Sequence, residues 1–223
     1  MKKHLSTLAI LVCVGLTTFA QQKGNVEVGI NVGLNFAKLT TNNYYENQGT
    51  DFVTGLTTGI SGEYYFSNSW GIKAKINYNQ KGWGNGFYTD INGNTTTTDF
   101  KLNYVTIPLM ANWHFGRTKN WYLNFGPYIG FLTSATATAT GTDVKSYINS
   151  TDAGLAYGIG VKIPLSDNVK FFAEYQIESG LANISNNSTN DNNSTTLLNS
   201  SFGLNVGAIF NLNSSGGHGH RNY

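Results

Sequence analysis

Cysteine is nearly absent: the 223-residue chain holds one, Cys13. It lies in the apolar run Leu5 to Leu16, after the basic start Met1-Lys2-Lys3-His4 and before Thr18-Phe19-Ala20. Basic, then apolar, then small is the order of a secretory signal peptide, here residues 1–20 with cleavage before Gln21. The residue ahead of Cys13 is Val12, where a lipidation signal requires a small side chain, so lipidation is not expected. The chain beyond residue 20 then has no cysteine, which excludes disulfides and thiol chemistry. An exported protein of this kind is held together by its sheet alone.

Charge is also scarce. Charged residues make up 12% of the chain and the net charge is +2, too little to draw a nucleic acid. Beyond the N-terminus there is no run of 18 apolar residues, so no transmembrane helix is expected. Histidine occurs four times. His4 leaves with the signal, His218 and His220 stand in the tail, and His114 points inward with a structural, hydrogen-bonded role. Hydrolase or acyl-transfer chemistry at an exposed rim needs a histidine-type base, and the long polar segments have none. His218-Gly219-His220 offers only two flexible ligands, a weak metal site. The loop acids Glu46, Asp51, Asp90, Asp99, Asp143, Asp152 and Asp191 are scattered as solvated charges. No catalytic residue, cofactor or metal is assigned.

What the chain does have is alternation. In Phe100 to Phe115 the odd positions Val105, Ile107, Leu109, Ala111, Trp113 and Phe115 are apolar. In Trp121 to Thr133 the odd positions Leu123, Phe125, Ile129 and Phe131 repeat the pattern. A period of two means a strand with one apolar face, and the five residues between these runs make them a hairpin. The same pattern predicts strands over about 25–39, 53–66, 70–81, 153–165, 169–181 and 197–212. Each is longer than the usual ~5–6 residues and suits a tilted bilayer crossing of about 9–11. Connections alternate long and short. Turns at 67–69, 116–120 and 166–168 fall at one end; polar loops at 40–52, 82–99, 134–152 and 182–196 fall at the other. The prediction is all-β: an eight-stranded antiparallel up-and-down transmembrane β-barrel over 21–212, with residues 213–223 a disordered tail.

Alternation alone does not say which face is outside. A soluble lipocalin-like ligand carrier would hold the apolar face inside. Three features favour apolar-out. The polar face is mostly Gly, Asn, Ser and Thr. Aromatics gather near the short turns, with Trp70, Trp113, Trp121 and Phe210 as membrane-interface residues. The charges Glu63, Lys73, Lys75, Lys162 and Glu174 share the polar face as lumen charges, with Glu63 opposite Lys73 and Lys162 diagonal to Glu174. Pro108 and Pro127 each remove a ladder donor. The apolar parity changes between Tyr104 and Val105, which reads as a β-bulge.

Asn103-Tyr104-Val105-Thr106-Ile107-Pro108-Leu109, followed by Gly126-Pro127-Tyr128-Ile129-Gly130, resembles the outer-membrane β-barrel family of Gram-negative bacteria that includes the PorT-type proteins. The resemblance spans the mature chain. It implies residence in the outer membrane, with outer-membrane lipid as a partner, and for PorT-type members an accessory role in protein secretion. An eight-stranded interior is just wide enough for side chains to fill. A non-enzymatic structural or surface-interaction barrel therefore comes first, meeting an extracellular ligand or surface partner through its long loops. A narrow porin-like channel for small solutes comes second.

Overall fold

The computed structural model describes residues 23–41, 51–186 and 196–212. The signal segment, the cut before Gln21 and the tail 213–223 lie outside the described residues. The strands are β1 (Val26–Thr41), β2 (Val53–Tyr65), β3 (Trp70–Thr89), β4 (Thr95–Phe115), β5 (Trp121–Ala137), β6 (Thr142–Asp143), β7 (Thr151–Pro164), β8 (Val169–Gly180) and β9 (Leu197–Asn211). Their order is β4-β3-β2-β1-β9-β8-β7-β5, and β5 pairs back onto β4. Eight long strands thus close into an antiparallel up-and-down ring. The two-residue β6 clips onto the end of β5, with Thr136 opposite Asp143. Closure gives every long strand two partners, which is what backbone N–H and C=O groups require where no water reaches them.

The short connections are fixed locally. Ser67 Oγ accepts the amides of Ser69 and Trp70. Gly116 and Lys119 carry φ of 83° and 52° in the next turn, a backbone region glycine enters without penalty. Lys119 Nζ donates to Ser69 Oγ at 2.7 Å and joins two of these turns. Both ends of the described chain lie here as well: Gly24 N donates to Tyr65 O, and Leu212 N to Val26 O.

Burial follows parity along every long strand. Ile30, Val32, Leu34, Ile60, Ile76, Leu109, Phe125, Ile159 and Leu204 are exposed, while their neighbours Asn31, Lys75, Met110, Asn124 and Asn205 are buried. The apolar face covers the barrel, which excludes the lipocalin-like arrangement. On β1 the outward apolar series runs from Val26 to Phe36 before Lys38. Ten residue steps at ~3.4 Å, tilted by about 40°, give a band about 26 Å tall, close to the ~25 Å apolar belt of membrane barrels. Outward strand charges (Lys38, Asp99, Lys101) lie only at the long-connection end.

Three expectations change. First, 82–99 is not a loop. β3 runs on to Thr89 and β4 starts at Thr95, so a two-stranded hairpin rises past the rim. Its tip, 90–94, is folded by the Asp90 carboxylate, which accepts the amides of Asn92 and Asn94. Second, 134–152 carries the end of β5, β6, a single 3-10 turn (Lys145–Tyr147) and the start of β7. Third, β4 keeps its parity through Tyr104. Phe100, Leu102 and Tyr104 point inward and are buried, as are Thr106 and Met110. The apolar signal switches because the lumen filling switches: at this height the interior is apolar. The nearby register shift is between Asn103, opposite Ser134, and Tyr104, opposite Leu132. The extra residue is therefore Thr133 on β5. A second irregularity lies between Trp83 and Gly86 on β3.

The prolines act as their chemistry demands. Between β3 and β4 the pairing passes from Ala74–Leu109 to Asn77–Thr106, skipping Pro108. Between β4 and β5 it passes from Pro108–Tyr128 to Ala111–Phe125, skipping Pro127. Each gap interrupts the ladder without shifting register.

Candidate functional site

The interior is a charged column. Five lysines (Lys73, Lys75, Lys81, Lys162, Lys170) and five carboxylates (Glu27, Glu63, Asp152, Glu174, Glu178) are buried in the bore. The numbers match, so the formal charges of lysines and carboxylates cancel within the bore.

Nearest the short turns, Lys162 Nζ lies 2.6 Å from Glu27 Oε2 and 2.8 Å from Glu63 Oε2, and it donates to Tyr65 OH at 2.6 Å. Lys170 takes the other oxygen of Glu27 at 2.6 Å. His114 Nε2 and Asn112 Nδ2 sit 2.6 and 2.8 Å from Glu63 Oε1. In the middle, Glu174 accepts from Lys73 at 3.1 Å, from Lys75, from Tyr122 OH at 2.9 Å and from Asn124 at 2.8 Å. Lys73 also stands over the Tyr122 ring, 4.7 Å from its centroid. Higher up, Lys81 lies 3.2 Å from Asp152 and 2.9 Å from Glu178. Tyr128 OH and Asn199 donate to the same oxygen of Asp152. Gln176 links the upper two groups, accepting from Lys75 at 2.6 Å and donating to Glu178 at 2.9 Å.

Above the column sits an apolar plug: Leu39, Trp83, Phe100, Leu102, Tyr104, Leu132, Val144, Ile148 and Ile184 pack together. Below it, glycines make room for large inward side chains. A Cβ on Gly160 would lie 2.4 Å from the Tyr122 ring, and one on Gly207 would lie 2.6 Å from the Phe172 ring. A polar cavity beside Asn35, Thr57, Asn79 and Glu178 measures about 10 Å³, room for about one water.

All five charges expected in the lumen, Glu63, Lys73, Lys75, Lys162 and Glu174, are buried there. Their partners differ from the strand-neighbour expectation. Glu63 is opposite Lys73 in register, yet Glu63 pairs with Lys162 and His114 while Lys73 pairs with Glu174. Lys162 lies diagonal to Glu174 but bonds Glu27 and Glu63. Side chains on neighbouring strands run inward side by side. In a narrow bore their tips meet those from the far wall: β3 faces β8, and β2 faces β7, four strands round the ring. Glu27, Lys81, Lys170 and Glu178 complete the set and carry the same inward parity in the sequence. Asp152 was expected in a loop; it is an inward residue of β7, two before Gly154.

On the outside, Trp70, Trp113, Trp121 and Phe210 are exposed near the short turns. Trp70 stacks on Trp113 at 6.2 Å, and Trp113 on Phe115 at 5.2 Å. Among the described residues, no group of three or more His, Cys, Asp or Glu is placed to hold a metal ion.

A closed barrel, apolar outside and charged inside, is an integral membrane β-barrel. A family model described as "Outer membrane protein beta-barrel domain" matches residues 19–186. The chain belongs to that family, and its place is the bacterial outer membrane. Among solved structures it is similar to the outer membrane protein OprG of Pseudomonas aeruginosa, with 10% identity, 86% of this chain and 97% of OprG covered, and a TM-score of 0.56. Neisserial surface protein A is matched with 18% identity, 82% and 96% covered, and a TM-score of 0.48. The attachment invasion locus protein Ail of Yersinia pestis is matched with 15% identity, 85% and 100% covered, and a TM-score of 0.42. At such identities the likeness speaks for the fold alone. No curated protein matches the chain.

Proposed function

We propose that the protein is a non-enzymatic outer-membrane barrel that does not conduct, and that it works through surface interactions at its long-connection end. The observation that carries this reading is the filled bore. Five buried lysines with their five carboxylates, large rings and an apolar plug occupy the axis where a channel would hold water. In this reading the short turns and both termini face the periplasm, the exposed aromatics Trp70, Trp113, Trp121 and Phe210 sit at that lipid interface, and the hairpin 84–99 projects from the cell. The signal segment is cut before Gln21.

Single-channel recording in planar bilayers tests it. Purified protein should insert without conductance steps; reproducible ohmic steps from folded protein would refute the closed bore. That result would instead support a narrow channel. The feature on that side is the middle of β9, β1 and β2, where the inward side chains are small and polar (Asn31, Asn35, Thr57, Ser201, Asn205). Protease applied to intact cells gives the orientation: cuts should fall at the long-connection end, and a cut within 116–120 would reverse it.

A further inference from the structure

At the long-connection end the rising β3–β4 hairpin leans over the apolar plug. Together with the Val144–Ile148 segment and the start of β9 it walls a cleft of about 340 Å³. The floor is Trp83 stacked on Phe100, ring centroids 4.5 Å apart and planes 16° from parallel. The bulge makes this floor possible. A Cβ on Gly86 would lie 2.5 Å from Trp83 Nε1 and 2.6 Å from the Phe100 ring, so only glycine passes there. Phe87 and Tyr147 line the cleft from its lip and are 53% and 63% exposed.

The chemistry of the lining selects a class of ligand. No charged residue, amide side chain or histidine lines it. Its polar side-chain groups are hydroxyls and the Trp83 indole N–H, and the hydroxyl of Thr89 is already bonded to Thr95. An ion or a sugar would lose its hydration against such walls without replacement hydrogen bonds. A flat apolar ring would instead stack on aromatic side chains and spend at most one hydroxyl contact. The volume is at the small end of ligand pockets, which span roughly 300–1,000 Å³, so it fits one or two rings. The segment between Ser185 and Leu197 is a poor occupant: residues 187–195 read NSTNDNNST, with no apolar side chain.

We propose that this cleft binds a small, uncharged, ring-bearing molecule arriving from outside. The inference rests on the surface-interaction reading and gives the exposed end a ligand class. It fails separately, since binding in nanodiscs does not depend on conductance.

The probe is 4-fluorobenzyl alcohol, followed by fluorine NMR with the full chain in lipid nanodiscs. Empty nanodiscs measure partition into lipid, and 4-fluorobenzoate presents the same ring with a charge. Saturable binding of the alcohol above the empty-disc signal, with none for the benzoate, is expected. Phe87→Ser and Tyr147→Ser should each weaken it about threefold to tenfold, and Ser185→Trp should abolish it by filling the cleft. Phe52→Ser, exposed at the same end outside the cleft, should bind as the parent does. Phe87 and Tyr147 stand clear of the barrel interior, so their loss leaves folding intact; heat-modifiable gel mobility checks this. A signal equal to that of empty discs, or one unmoved by Phe87→Ser and Tyr147→Ser together, overturns the proposal. So does binding that appears only after Tyr44→Ser and Tyr45→Ser, which would make the chain's own 42–50 segment the occupant.

Discussion

Removing the Lys162 ammonium is the most informative perturbation of the lumen. Lys162 is fully buried and holds Glu27 at 2.6 Å and Glu63 at 2.8 Å. At an effective dielectric of ~20 each attraction is worth about 6 kcal/mol before desolvation. The desolvation of the lysine offsets much of this, several kcal/mol per ion. Lys162→Gln gives back that desolvation but strands two carboxylates, with Lys170 left for Glu27 and His114 and Asn112 for Glu63. The expected loss is about 3–5 kcal/mol. Urea unfolding in detergent micelles measures it, and double-mutant cycles locate it. The Glu63–Lys162 and Lys73–Glu174 cycles should show coupling of about 1–3 kcal/mol, while Glu63–Lys73, opposite in register but without an ion pair, should show a smaller one. Strong coupling of Glu63 to Lys73 with none to Lys162 would refute pairing across the bore and restore pairing along the sheet.

Ile159, 41% exposed on β7, should cost about 2–4 kcal/mol as Ile159→Arg. As Ile159→Cys it should take a membrane-soluble thiol probe; strong labelling by a water-soluble reagent in the reconstituted protein would count against a lipid-facing position. Gly160→Val should destabilise by about 1–3 kcal/mol through overpacking against Tyr122, and an unchanged urea midpoint would contradict the close approach described above. The Asp90 carboxyl is held below its ordinary range, chiefly by the Asn94 amide and side chain and then by the Asn92 amide. A lowered folded value gives support present above the unfolded pKa of about 3.9 and lost as pH falls through the folded value. The Asn92 and Asn94 amide resonances should therefore hold steady down to about pH 4 and shift only below it; a midpoint above 4 would overturn this.

Strands, turns and the apolar-out face were legible because lipid on one side forces strict alternation, as at Ile30, Val32 and Leu34. The hairpin above the rim was not. Around Trp83-Gly84-Asn85-Gly86 the bulge breaks the period, and beyond it Tyr88 packs against the apolar plug while Phe87, Thr89 and Thr95 to Thr97 are exposed, so little pattern is imposed. At Tyr104–Val105 the sequence records only that two apolar series have opposite parity. A bulge and a change of lumen filling leave the same trace there, and the difference appears only with Phe100 and Leu102 inside the barrel. Ion-pair partners were hidden for another reason. Register gives the neighbour along the sheet, whereas Lys81 and Glu178 meet because ring size and stagger bring β3 and β8 face to face.

Pairing across the bore also bears on how the barrel assembles. Lys73 and Lys75 on β3 wait for Glu174 on β8, and Glu63 on β2 waits for Lys162 on β7. No run of consecutive strands shorter than five spans β3 to β8 or β2 to β7. A half-built sheet entering the bilayer therefore carries its charges unmatched, β2 and β3 alone presenting three lysines and one glutamate. Each such strand is held back by the bilayer until its opposite number arrives, at which point several charges are neutralised together. The column thus acts as a latch on completion: it penalises partial insertion, and it locks the ring when the last strands close it.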